Sequence, residues 1–215
     1  MKYHQPCVFL DRDGVINTMP KYLDEEGLLV YDSPHTVDDF EFFPGAAEAI
    51  ARLSARFRIF VVTNQPGIAY GKIASEEVID EMHDHLLVEV AKVGGVIDGI
   101  LHCLHSEKHE RMPGGRNNPY YHPNHPDRKP NPGMLLKHAM LEASIKRPID
   151  FRQCYMVGDR AVDMLAGLQA GIPKHRLMLI QAPYSPDEKF DQVETFRNLQ
   201  AVADRILARP TPKSR

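Results

Sequence analysis

The sequence carries no excess of positive charge: 26 lysines and arginines stand against 29 aspartates and glutamates in 215 residues, a formal net charge of −3. Tracking a phosphate backbone needs a basic face, so nucleic acid is not an expected partner. Cysteine is scarce as well. Cys7, Cys103 and Cys154 are the only three, each in or beside an apolar run, which excludes a disulfide framework and suits a reducing compartment. No apolar run approaches the roughly 20 residues of a membrane span, and no secretory-type apolar segment precedes Asp11. A cytoplasmic protein with no membrane partner is the expectation. Internal repeats and low-complexity linkers are also missing. The remaining composition, 43% hydrophobic and 26% charged, is that of an ordinary globular chain with room for one sizeable core but not for two α/β domains.

What is present is an alternation. Strand-like apolar runs occur at residues 7–10, 58–63, 99–103, 154–157 and 177–181. Helical patterns lie between them at 44–57, 75–95, 131–144 and 161–171, with Pro44 at a first turn, Ser75 as an N-cap and Gly171 as a stop. Strands alternating with helices predict a doubly wound α/β fold, a parallel sheet with helices on both faces. Residues 1–208 read as one domain with two interruptions, about 18–43 and 104–127, and residues 209–215 as a disordered tail.

The strand ends carry the chemistry. The stretch "CVFLDRDGVIN" drops Asp11 and Asp13 directly after a run apolar at every position, and in open α/β sheets ligands sit outside the carboxyl ends of such strands. A lone Asp-x-Asp-Gly is equally a turn. Three further ends add Thr63 and Asn64 in "VVTNQPGI", Arg128 and Lys129 in "RKPNPGM", and Asp159 and Asp163 in "MVGDRAVDM". Each alone reads as a cap, a turn or a solvated pair; four in succession do not.

As a set, "LDRDG", "VVTN", "RKP" and "GDRAVD" resemble the four motifs of the haloacid dehalogenase (HAD) superfamily of phosphatases. With "FFPGA", they look like the subfamily that holds heptose-bisphosphate and histidinol-phosphate phosphatases. The resemblance implies a Rossmann-like core with a minimal cap made of loops, and a Mg²⁺-dependent phosphomonoester hydrolase acting on a small phosphorylated metabolite, most like heptose 1,7-bisphosphate. It implies Asp11 as a nucleophile forming an aspartyl phosphate, Asp13 as general acid and then base, and Thr63, Asn64 and Lys129 as holders of the transferring oxygens. Asp11, the Asp13 carbonyl and Asp159 would bind Mg²⁺, a hard ion that prefers oxygen. Asp163 either supports that metal's ligands or favours the start of a helix, and Arg128 either binds a further anionic group of the substrate or is a structural arginine.

Five of the eleven histidines fall between His102 and His125. The heptose-phosphatase relatives carry in this loop a zinc knuckle of the form Cys-x-His, spacer, Cys-x-Cys. Here the first half stands as Cys103 and His105, while the second half has His125 and Asp127 where cysteines belong. Zn²⁺ accepts sulfur, imidazole and carboxylate ligands, so Cys103, His105, His125 and Asp127 form one possible set. His122 is a rival fourth ligand, and a metal-free loop is the other reading. Histidinol-phosphate phosphatase, polynucleotide 3′-phosphatase and a non-catalytic phosphate- or metal-binding module remain alternatives. The complete set of charged motif residues speaks against the last.

Overall fold

A computed structural model describes residues 6–24, 26–184 and 188–208. The tail at 209–215, expected to be disordered, lies outside the described residues. Four β-rich, apolar residues build β1 (Cys7–Leu10), and every one of them is buried. Val8 and Leu10 point into one cluster with the helices α1 (Ala46–Ser54), α2 (Glu76–Lys92) and α5 (Leu199–Leu207). Cys7 and Phe9 point into a second with α3 (Gly133–Ser144) and α4 (Ala161–Ala170). The period of two along the strand thus splits the core into two layers, which is why the run is apolar at each position rather than at alternate ones. At about 1.5–3 kcal/mol for each large apolar side chain removed from water, these layers supply the main favourable term in folding.

The chain continues through a hairpin of β2 (Lys21–Leu23) and β3 (Leu29–Tyr31), then β4 (Arg58–Asn64), β5 (Gly99–Cys103), β6 (Tyr155–Gly158), β7 (Leu177–Ile180) and β8 (Glu194–Phe196). The main sheet has the order β5-β4-β1-β6-β7-β8, and each pairing in it is parallel. From β1 the chain builds outward through β4 and β5, then crosses back to lay β6 on the other side. The order therefore reverses between β1 and β6, and the crevice at their carboxyl ends is where such sheets bind ligands.

Three features depart from the sequence reading. The 18–43 interruption is not loop alone, because it holds the β2–β3 hairpin, whose residues are mostly exposed. β8 is a three-residue edge strand, too short for a pattern to register. α5 buries Leu199, Val202, Ala203 and Ile206, the spacing of an amphipathic helix, and the Asn198 side chain accepts from Ala201 N at 3.0 Å as its cap. Among the described residues no helix is long and apolar enough to cross a membrane.

Candidate active site

Asp11 leaves β1 at the reversal point, and Asp159 leaves β6 beside it. Gly14 lets the loop after β1 turn with φ 85°. A Cβ on it would lie 2.5 Å from Asp159 Oδ2 and 2.3 Å from the Tyr184 hydroxyl, so only glycine permits that approach. Gly158 does the same at the end of β6, where a Cβ would stand 2.2 Å from that of Asp163.

Lys129 is 2% exposed and lies between these carboxylates. Its ammonium donates to the Val62 carbonyl at 2.9 Å and forms ion pairs with Asp11 Oδ1 at 2.8 Å and Asp163 Oδ1 at 2.6 Å. The Asn64 side chain fixes its main chain from both directions, donating to Lys129 O at 3.1 Å and accepting from Lys129 N at 3.0 Å. Asp163 spends its other oxygen on the Arg160 amide at 3.0 Å. It therefore starts α4 and holds the lysine at once.

Three carboxylates share this one cation. Burial, and then the charges of Asp163 and Asp13, push the Asp11 carboxyl up to about 7 against the pull of Lys129. Asp159 is raised well above the usual carboxylate range by burial and by Asp163 and Asp11. The ammonium of Lys129 is held above its ordinary value by Asp11 and Asp163 in spite of burial, and stays charged. Oxygens of Asp11, Asp159 and Asp163 lie within 4.8 Å of one another, and Asp159 Oδ1 is buried with no hydrogen-bond partner. An all-oxygen set with more carboxylates than its one ammonium balances, and with an unpartnered buried oxygen, fits a hard divalent cation such as Mg²⁺.

Asp13 stands at the cleft wall with four donors on its carboxylate. Arg12 gives Nε to Oδ1 at 3.1 Å and Nη2 to Oδ2 at 3.4 Å, Asn17 gives Nδ2 at 2.9 Å and Gln65 gives Nε2 at 2.7 Å. Gln65 Nε2 also reaches Thr63 Oγ1 at 2.9 Å, linking the second motif to the first. Arg12, Asn17 and Gln65 all lie inside the stretches quoted above, which assign them no role by themselves. An arginine between two aspartates was the available signal.

Arg128 lines the cleft, but Glu107 takes its Nε at 2.7 Å and the His105 carbonyl takes Nη1 at 3.0 Å. Two of its five N–H groups are thereby committed to the 104–127 segment. The same segment contributes Lys108 and Arg111 to the cleft, which encloses about 640 Å³. Arg111 lies over the Tyr70 ring at 4.8 Å.

Of the expected zinc ligands, the structure brings together Cys103, His105 and His125. Cys103 Sγ lies 3.6 Å from His125 Nδ1, and the rings of His105 and His125 stack at 4.0 Å. Asp127 is not part of that group: its Oδ2 forms an ion pair with Lys137 and stands 4.0 Å from His125 Nδ1. His122 is nearby, its ring 5.1 Å from that of His125. Burial pushes the Cys103 thiol up and both imidazoles down, so the two histidines keep the neutral form a metal requires.

Comparison with known proteins places this geometry in a family. The HAD-hydrolase-like family model matches residues 127–176. The D-glycero-alpha-D-manno-heptose-1,7-bisphosphate 7-phosphatase of Campylobacter jejuni is 34% identical over 91% of this chain and 92% of its own. The corresponding beta enzyme of Vibrio cholerae is 36% identical over 78% of each chain. A crystal structure of D,D-heptose 1,7-bisphosphate phosphatase from B. bronchiseptica, complexed with magnesium and phosphate, superposes with a TM-score of 0.72 at 27% identity, covering 94% of this chain and 98% of that one. The reversal-point carboxylates, the lysine between them and these relatives together show that the chain belongs to the HAD-like hydrolases and is a phosphatase of the heptose-bisphosphate phosphatase family.

Proposed function

We propose that this phosphatase removes one phosphate from a heptose 1,7-bisphosphate by way of a phosphoryl group carried on Asp11. The observation that carries the reading is Lys129, a buried cation aimed at Asp11 Oδ1 from 2.8 Å in the crevice of the sheet. Uncatalysed phosphate-monoester hydrolysis is so slow that enzymes accelerate it up to about 10²¹-fold, and dividing the barrier through a covalent intermediate is one way to reach such rates. Lys129 orients Asp11 and meets the charge that spreads over the transferring oxygens. Thr63 lines the same cleft, with its hydroxyl available to those oxygens. Asp11, Asp159 and the Asp13 carbonyl would hold Mg²⁺, supported from behind by Asp163; when bound, the ion supplies the positive charge that lets carboxylates meet an anionic phosphoryl group. Lys108 and Arg111 on the cleft wall suit a substrate with a second anionic group.

The deciding experiment is turnover of both anomers of heptose 1,7-bisphosphate, histidinol phosphate and a 3′-phosphorylated oligonucleotide, each with Mg²⁺ and with EDTA. A heptose bisphosphate should have the highest kcat/KM, and EDTA should remove it. Preference for either other substrate would overturn the assignment.

Asp13 is proposed to protonate the leaving oxygen and later to activate water. Asp13→Asn should then slow phosphoryl transfer from an alkyl phosphate by about 10²–10⁴-fold, the usual range for a positioned acid, and from an aryl phosphate by much less. An aryl oxide leaves without a proton. Equal losses in single-turnover release of the two alcohols would remove Asp13 from that role.

Mg²⁺ affinity should rise with pH. Asp11 and Asp159 are pushed up in the metal-free protein and must ionise to bind the ion, so binding expels protons. The folded-state value of Asp11, about 7, lies above its unfolded one, so its stabilising contribution is present at acid pH and is lost as pH rises through about 7. Calorimetric titration should show tighter Mg²⁺ binding at about pH 8 than at about pH 6, with net proton release. Affinity that does not change over this interval would contradict the cause given for the shifts.

Cys103, His105 and His125, with His122 or Asp127 as the fourth ligand, are proposed to hold one zinc ion that ties the exit of β5 to the segment carrying Lys129. Elemental analysis of protein purified without an affinity tag should find close to one equivalent, and Cys103→Ser should lose it. Less than about a tenth of an equivalent in the unmodified protein is not compatible with a closed structural site.

A further inference from the structure

His83 is a buried histidine that none of the roles above uses. It lies on the core face of α2 together with Ile79, Met82 and Leu86, and its Nε2 is 3.3 Å from Arg12 Nη1. Arg12 is completely buried. An arginine has donors only, so in this pair Nε2 is the bare nitrogen and Nδ1 carries the proton. Burial and the neighbouring guanidinium lower the imidazole's pKa to about 2, which leaves the lone pair available at any working pH. The Phe40 ring covers another side of the guanidinium, 5.5 Å from Cζ.

His83 and His102, with Asp80, bring potential ligand atoms within 4.8 Å of one another. A metal there is disfavoured for two reasons. A neutral imidazole has one lone pair, which Arg12 already uses, and the ion would stand beside a guanidinium.

The geometry points instead to a positioning role: we infer that His83 fixes the Arg12 guanidinium and, through it, holds the Asp13 carboxylate in the pose from which it serves the leaving oxygen. This rests on the assignment of Asp13 made above. Arg12 spends Nε and Nη2 on Asp13, and Nη1 on His83 sets the remaining rotation of the fork. Without an acceptor on α2, the guanidinium turns to find another and carries Asp13 with it, because a buried N–H is not left unpaired. Gln65 and Asn17 hold the same carboxylate from the other side, so the loss is one of placement rather than of the whole cradle.

The test compares His83→Leu with His83→Gln, which returns an acceptor oxygen. Single-turnover release of the alcohol is followed for an alkyl phosphate and for 4-nitrophenyl phosphate, with Asp13→Asn in the same series. His83→Leu should slow the alkyl phosphate by about 10–100-fold, the cost of misplacing a catalytic group by a fraction of an ångström. The nitrophenyl burst should change by less than about twofold, since that leaving group needs no acid. KM and Mg²⁺ affinity should be unchanged, and His83→Gln should recover most of the rate. A merely structural histidine would impair both substrates alike and would not be rescued by glutamine. Either of those results, or full activity of His83→Leu, overturns the proposal. If Asp13→Asn discriminates between the substrates and His83→Leu does not, only the positioning role fails. If Asp13→Asn does not discriminate, the assignment of Asp13 fails and this inference falls with it. Should His83→Leu not fold, His83→Met, also without a nitrogen acceptor, allows the same comparison.

Discussion

Asp11→Asn is expected to abolish phosphate release, by about 10⁴-fold or more, the scale on which losing a covalent nucleophile acts in other enzymes, while the protein stays folded. The amide keeps the shape of the carboxyl and removes the attacking charge. The variant should remain stable because Lys129 keeps its ion pair with Asp163 at 2.6 Å, and because one of three crowded carboxylates is gone. Substrate binding should survive, since Thr63 and Lys129 are untouched. Phosphate release and thermal melting measured side by side check both halves. A variant that retains more than about a hundredth of wild-type turnover would be incompatible with covalent catalysis at this position.

Lys129→Met should be as damaging to activity and far more damaging to stability. It leaves Asp11, Asp159 and Asp163 together with no cation, and breaking a buried pair from one side costs about 3–5 kcal/mol. The loss should depend on pH. Protonation relieves the repulsion, and without the pull of Lys129 the Asp11 carboxyl rises above its wild-type value of about 7, so denaturant melts should show the variant's deficit shrinking as pH falls through that higher range and growing above it. Added Mg²⁺ should restore part of the stability without restoring turnover, because the cation it replaces also orients Asp11. A variant as stable as wild type at about pH 8 without metal would contradict the charge balance described here.

The parts of the fold legible in the sequence were those with an unambiguous physical signature. β1 reads as buried on both faces because each of its residues is apolar, and the structure divides Val8 and Leu10 from Cys7 and Phe9 between two layers. Polar residues at the ends of such strands stand out, which makes Asp11, Thr63 and Asp159 legible in the sequence, whereas Lys129 stands just before α3 and is legible only through the RKP motif. α5 is also legible, from Asn198 and the spacing of Leu199, Val202, Ala203 and Ile206. The β2–β3 hairpin had no comparable signal, since short strands exposed on both sides show neither alternation nor a continuous apolar run. Long-range partners were hidden for a different reason. His83 meets Arg12 from 71 positions away, a contact set by which face α2 turns to the sheet. Asp127 looked like a zinc ligand by its position before Arg128. It also pairs with Lys137, on a helix whose placement the spacing could not convey.

The proposed catalysis depends on a phosphoryl group carried by Asp11. During turnover of the preferred substrate, rapid quenching followed by borohydride reduction converts an aspartyl phosphate to homoserine, which peptide mass analysis locates. Homoserine at position 11, formed only when substrate and Mg²⁺ are both present, is the expected result. Homoserine at another aspartate, or none during active turnover, would contradict it.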